Sequence, residues 1–435
     1  MLAFLTARRR ALLNGFWFVP GAVALAFAAL ALGLIATDRA LGAGSTGFLF
    51  DGDAGAARAI LQTIAGSLIT VAGLSFSLTV VILVLVSGQF TPRSVPAFLS
   101  DRVTQTTAGA FVGVFAYCLL VLRTVRDEEA DASGFVPGLS VTVALGLAIV
   151  TLGLLLLFIH HLGTSIQASS IVSRIGRETL NRIEQLYPAE LDEREAVAPE
   201  RAEDEALTVY ALRPGYVRAI ALDDLVVDLP PGCARLHVHV TTGDFVTKED
   251  VLAEIWPATA RDEGVRAVRR AISIGDERDT REDVLFGIRQ LAEIATKALS
   301  PGINDPTTAV TAIGYLRATL ELLAQRPFPP GTRRDERTRI TVIATQRAFD
   351  EYVRGAFDEM GRYATGNASV VVALLDAIDR IGTAARRSGY RERLSVLART
   401  AEAVAIPALA DARTERDRIL IDAALTQAQA PTAES

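Results

Sequence analysis

Apolar residues are unevenly spread along this chain. They crowd into the first 173 residues, in four long runs. Residues 16–36 carry no charge. Residues 60–86 form the apolar heart of an uncharged stretch between Arg58 and Arg93. Residues 103–122 are uncharged, and so are residues 132–173, most apolar over 139–160. About 20 apolar residues in a helix cross about 30 Å of hydrocarbon. The pattern therefore predicts four transmembrane helices, at about 16–36, 60–86, 103–122 and 139–160. Beyond Arg174 no window is apolar enough, and the pattern changes character. A helical stalk and acidic linker are expected over 174–206. A β-rich module follows over 207–257, then a helical domain over 258–428 and a disordered tail at 429–435. The fold class is mainly α: four membrane helices followed by an α+β region.

The β-rich module is read from TVYAL (208–212), YVRAI (216–220) and RLHVHV (235–240), separated by Arg213-Pro214-Gly215, Pro230-Pro231-Gly232 and Thr242-Gly243-Asp244. The GYV and GDFV turns resemble the small sandwich of lipoyl- or biotinyl-type domains. The carrier lysine context is missing, and Lys248 stands near the usual turn glycine, so a swinging arm is not expected. Further on, Ser300-Pro301-Gly302 stops one helix. Asp305 as N-cap with Pro306 in the first turn starts another. Residues 340–344 read as a short strand. Later helices are expected near 346–363, 368–386, 390–404 and 407–428.

Composition sharpens this outline. Half of the 435 residues are hydrophobic and 22% are charged, with a net charge of −6. The acidic segment 190–205 alone nets −6 and reads as a solvated linker. No nucleic-acid partner is suggested; the lipid bilayer is the partner that the spans require. Arginine placement orients the chain. Arg8, Arg9, Arg10, Arg93, Arg102, Arg174, Arg177 and Arg182 fall on one side, and Arg39, Arg58, Arg123 and Arg126 on the other. This predicts an inner-membrane, multi-pass protein with both termini cytoplasmic. Arg8–Arg10 also resemble a signal n-region, but the apolar run after them is too long for a cleaved leader. Cys118 and Cys233 lie in different regions and are not expected to pair.

Candidate chemistry is sparse. In the second span Thr63, Ser67, Thr70 and Ser77 share one helical face, bordered by Gly66 and Gly73. Such a face either packs closely against a helix or lines a polar path for small ions. Val81, Leu83, Val84 and Leu85 would form a dry constriction near its end. No ionisable residue is expected inside a span. The 89–101 segment, with Pro92 and Pro96, reads as an elbow at headgroup level. His160 and His161 read as an interfacial helix end, with the helix continuing to residue 186. His237 and His239 point to one strand face and could supply two metal ligands. With no Cys or third His near, they read as a partly exposed strand face, and no metal or cofactor is expected. A possible polar site combines Arg278, Asp283, Asn304 and Asp305, with Arg281 and Arg289 nearby. It could hold a hard cation, but capping and turn roles explain the same residues. No P-loop, GxSxG, HExxH or CxxC occurs, so no catalytic residue is assigned.

Over nearly its full length the chain resembles a prokaryotic family of integral membrane proteins known as a domain of unknown function. The resemblance rests on SFSLTVV and SGQFTPR within 75–93, the His160-His161 pair, the GYV and GDFV turns, and ALSPGINDPTTA (298–309). It implies four spans and a cytoplasmic C-terminal region, and brings no catalytic residues. Three functions follow as expectations: a homo-oligomeric channel or pore with a cytoplasmic regulatory domain, a membrane-anchored sensor or scaffold, and, least favoured, a membrane enzyme.

Overall fold

The computed structural model describes residues 18–41, 50–89, 101–126, 135–165, 167–190, 205–230, 232–257, 261–278, 283–329, 331–334 and 340–433. The chain divides into two compact units, 1–167 and 168–435.

Among the described residues the first unit holds four helices: α1 (Phe18–Leu41), α2 (Ala54–Gln89), α3 (Arg102–Leu122) and α4 (Gly138–Ser165). Each contains a stretch long and apolar enough to span a bilayer. They coincide with the four predicted spans and extend most of them by several residues. The third span is the hub. Phe111, Val114, Tyr117, Cys118 and Val121 on α3 are completely buried, and α1, α2 and α4 pack around it. Gly109 and Gly113 explain how α1 comes so close. A Cβ at Gly109 would lie 2.8 Å from Pro20 Cα, and one at Gly113 would lie 2.6 Å from the Phe27 ring. The GxxxG spacing puts both on one face and lets the backbones meet.

Polar contacts fix both ends of this unit. Asp38, near the end of α1, accepts hydrogen bonds from the Leu139 and Ser140 amides at 3.0 Å and from Ser140 Oγ at 2.6 Å. It therefore caps the N-terminus of α4 from another helix. The apolar window 16–36 holds no ionisable group, but α1 runs past it to include this buried carboxylate. At the opposite end Asp101 caps α3 through Thr104 and also meets His161 Nε2 at 2.9 Å. His161 is thus held by a carboxylate, whereas His160 is exposed. The elbow at 90–100 lies outside the described residues.

The continuous helix expected from the fourth span to residue 186 is two helices, α4 and α5 (Ala168–Leu186). Nor is α5 a free stalk. Ile171, Val172, Ile175 and Ile183 are buried, and α5 packs within the second unit. Its apolar face needs a partner, and α8 (Val284–Ala298) and α9 (Pro306–Ala324) supply one. Gly176 lies directly beneath the Tyr315 ring. The acidic linker at 191–204 lies outside the described residues.

The described strands form two sheets. One has the order β1–β5–β3–β8–β7, built from Leu207–Tyr210, Val251–Trp256, Arg235–Val238, Thr341–Ala344 and Thr332–Arg334. The other is β4–β2–β6, from Phe245–Val246, Gly215–Ile220 and Ile272–Gly275. Val209, Leu236, Val238 and Leu252 of the first sheet share a core with Val217, Val246 and Ile272 of the second. The expected boundary at residue 257 is crossed by three strands. β6, β7 and β8 arrive from the segment read as helical, and β8 runs parallel to β3 in the middle of the sheet. Two short helices, α6 (Leu222–Asp228) and α7 (Arg261–Ala271), join strands. The left-handed turn backbone falls on Glu249, one residue past Lys248.

The helical layer continues with α10 (Phe349–Ala364), α11 (Ala368–Arg387), α12 (Leu394–Ala410) and α13 (Glu415–Ala433). The break expected near 405 falls instead at Asp411, with Pro407 inside the last turn of α12. The tail expected to be disordered from 429 is helical to Ala433, and Gln429 donates to Glu402 at 2.9 Å. Buried Arg393 donates to the carbonyls of Leu323, Ala324 and Arg326, satisfying the end of α9. Burial lowers its pKa.

Candidate functional site

Three places in the molecule carry the side chains singled out by the sequence. The first is α2. Ala57, Leu61, Ala65, Leu68, Ser75, Thr79 and Ile82 form its buried side. Thr63, Ser67, Thr70 and Ser77 all lie on the exposed side, and a Cβ at Gly66 or Gly73 would meet no described atom within 4 Å. The hydroxyl face therefore packs against no other described residue of its own unit. Thr63, Ser67 and Thr70 donate to the carbonyls of Ala59, Thr63 and Gly66. Their protons are committed to the helix, and the oxygen lone pairs are what the face presents outward. Leu74, 68% exposed, interrupts the polar run. Val81, Val84 and Leu85 continue the exposed side, whereas Leu83 is half-buried and departs from the expected constriction.

The second place is the proposed polar site at 278–305, and it splits in two. Asp283 is buried, caps α8 at Phe286 N, and pairs with Arg278. Arg278 also lies over the Phe286 ring. Asn304 and Asp305 lie beyond the other end of α8, which is 15 residues, or about 22 Å, long. A single cation site built from all four residues is thereby excluded. Asp305 caps α9 through Thr308, and these hydrogen bonds hold its carboxyl below the ordinary range. Asn304 is exposed and supplies a left-handed turn residue. Arg289 is exposed, and Arg281 lies outside the described residues.

What surrounds Asp283 was not visible in the sequence. Gly243 of the GDFV turn sits against it, and a Cβ there would collide with both the carboxylate and Arg278. Next to the glycine, Asp244 accepts from Arg347 at 2.7 Å, and Arg347 also pairs with Glu351 at 2.9 Å. Burial alone would lower the Arg347 pKa, but Asp244, Asp283 and Glu351 together raise it. Tyr187 and Tyr352 share a 2.6 Å hydrogen bond, and burial raises the pKa of both phenols. This network ties the sheet turn to the helical layer, with each charge answered by its opposite. It reads as structural.

The third place is the face of the larger sheet that points away from the shared core. Leu236 and Val238 are fully buried, so His237 and His239 face outward. Their rings lie 4.1 Å apart. Strand β5 runs antiparallel to β3 and sets Glu254 directly across from His237. Glu254 Oε2 meets His239 Nε2 at 2.9 Å. The donor atoms of His237, His239 and Glu254 lie within 4.8 Å of one another. The strand face is partly exposed, and strand register adds a third ligand-type side chain, Glu254, that sequence distance hid. The strand parity of Glu254 and Trp256 was the available signal; only the β3–β5 register connects it to the histidines. Burial, His239 and Arg235 together lower the His237 pKa.

Four apolar helices of spanning length followed by an α+β unit make this a polytopic membrane protein of mainly α class. Residues 14–380 match the family described as "Predicted membrane protein (DUF2254)", and the chain belongs to that family. It is similar to "Uncharacterized protein Rv1290c" of Mycobacterium tuberculosis strain H37Rv and to "Uncharacterized protein Mb1321c" of Mycobacterium bovis. Each is 32% identical over 365 residues, covering 81% of this chain and 70% of the relative. No solved structure matches the chain.

Proposed function

We propose that the protein is a homo-oligomeric channel or pore of the inner membrane that passes small cations. Its N- and C-termini lie in the cytoplasm, in accord with the arginine asymmetry, and the second unit acts as its regulatory domain. The observation that carries this reading is the exposed face of α2. Lipid accounts for the outward Leu74, Phe76, Val81 and Val84 of α2, but not for the hydroxyls and bare glycines that lie outward beside them. A second subunit, or water around an axis, accounts for such a face.

Cations are favoured because the hydroxyl protons of Thr63, Ser67 and Thr70 are spent on backbone carbonyls. Oxygens without free protons can replace part of the hydration of a cation, and they lack the charge that would trap it. Leu74, Val81 and Val84 supply dry points at which such a path closes.

Purified protein in liposomes tests this. Potassium or sodium flux under voltage, exceeding chloride flux, is expected. The combined change Ser67→Ala, Thr70→Ala and Ser77→Ala should reduce it while leaving the protein folded. Absence of flux under voltage, osmotic swelling and membrane tension would overturn the proposal. It would favour the membrane-anchored sensor or scaffold, to which the separate core of the second unit is suited.

A further inference from the structure

We infer that His237, His239 and Glu254 form a binding site for a divalent transition-metal ion of the zinc type. The donor set selects the ion. Two imidazole nitrogens and one carboxylate oxygen suit zinc and its neighbours, whereas calcium and magnesium demand oxygen ligands.

The scaffold is rigid where it matters. His237 and Glu254 are direct cross-strand partners, and the His239 amide bonds to the Leu252 carbonyl at 3.0 Å. Leu236 and Val238, fully buried, prevent the strand from rotating its histidines inward. Ligands around tetrahedral zinc lie about 3.3 Å apart, given bonds of about 2.0–2.1 Å. The His239–Glu254 contact, at 2.9 Å, is already near that spacing. Side-chain rotation at His237 closes the rest, because no donor pair exceeds 4.8 Å.

Three protein ligands leave the fourth position open, as in zinc sites that bind water or an incoming ligand. The His239 and Glu254 side chains remain 34% and 32% exposed, so such a ligand has access. Arg235, stacked over Trp256, flanks His237 on the same strand face. It gives the open side a positive edge that favours an anionic fourth ligand over a second cation.

Full-length protein in detergent, stripped with a chelator, provides the test. Zinc titrated by calorimetry is expected to bind once per chain, and cobalt in its place should give the visible bands of a tetrahedral site. Zinc should raise the thermal midpoint of the wild-type protein. The double variant His237→Ala/His239→Ala should lose stoichiometric binding, and Glu254→Gln should weaken it roughly tenfold or more. His239→Gln keeps a hydrogen bond to Glu254 and guards against a mere folding defect. It should match wild type in metal-free stability and still lose the zinc effect. The variant His160→Ala/His161→Ala should bind like wild type. Wild-type binding no tighter than that of the double variant, or binding abolished only by changes at His160 and His161, would overturn the assignment.

Discussion

The glycine-bearing faces of α3 and α2 in the membrane unit meet opposite fates. On α3, Gly109 and Gly113 are filled: Pro20, Val23, Ala24 and Phe27 of α1 press against them. On α2, Gly66 and Gly73 are bare, and the hydroxyls between them face outward. Small residues in a membrane helix permit close approach. The comparison separates approach already used within the protomer from approach still on offer. The α3 glycines build the subunit, and the α2 face is what we propose the assembly uses.

The strongest way to break this distinction is to fill the used face. Gly113→Leu forces a side chain into Phe27 and the Ala24 backbone. Overpacking of this kind costs about 1–3 kcal/mol, with a backbone neighbour placing it at the upper end. Thermal unfolding can be followed with a thiol-reactive dye on buried Cys118, and its midpoint should fall markedly. An unchanged midpoint would mean that α1 is not seated on α3 as described.

Next in size is Asp38→Ala. Three hydrogen bonds to Leu139 and Ser140 disappear, and the first turn of α4 is left buried without a cap. A loss of about 1–3 kcal/mol is expected in the same assay. Asp38→Asn should recover part of it, since its oxygen still accepts.

In the second unit, Asp305→Ala removes the α9 cap and should cost about 1 kcal/mol. Its pH dependence has a defined sign. Hydrogen bonds from Thr308 hold the folded pKa below the ordinary 3.8. The stabilisation is therefore complete above that value and fades as pH falls through the folded pKa. Wild type and variant should differ at pH 7, and the difference should shrink only below pH 3.8, as pH falls through the lowered folded pKa. A constant difference would assign the cost to something other than the carboxylate.

The smallest expected effect is the most pointed. Gly66→Leu on the bare face should leave the protomer no less stable, since replacing a mid-helix glycine gains about 0.5–1 kcal/mol of helix propensity. It should nevertheless lower the assembled mass in mild detergent. Protomer destabilisation comparable to Gly113→Leu would erase the contrast between the two faces.

How much of this was readable beforehand follows the range of the interactions. The spans were legible because hydrophobicity over 20 residues is a local signal, and the Asp305-Pro306 helix start was legible because a cap lies within one turn of what it caps. Asp38 was not: it caps a helix 101 residues away, and nothing near it in sequence marks the role. The interruption of the fourth-span helix escaped because the sequence from 132 to 173 has no charge or proline at 166–167 to signal it, though both Pro188 and the strand signals were read. The sheet was underestimated for a related reason. β8 was visible as a strand, but its parallel pairing to β3, across about a hundred residues, is set by tertiary packing alone. The histidines were noticed and their third partner missed, because Glu254 joins them through strand register and not through spacing. Asn304 and Asp305 were grouped with Arg278 and Asp283 by proximity in sequence, and the intervening helix α8 holds them apart.

One measurement bears most directly on the α2 face: oxidative cross-linking in native membranes with cysteine placed singly at Thr63, Thr70 or Ser77. The native Cys118 and Cys233 are buried and should give little background. Ile149→Cys, at a 73% exposed position on α4, serves as the lipid-facing comparison. A covalent dimer should form readily from the α2 positions and not from Ile149→Cys. No dimer from any α2 position, or an equal yield from Ile149→Cys, would contradict the assembly and leave the bare face to lipid.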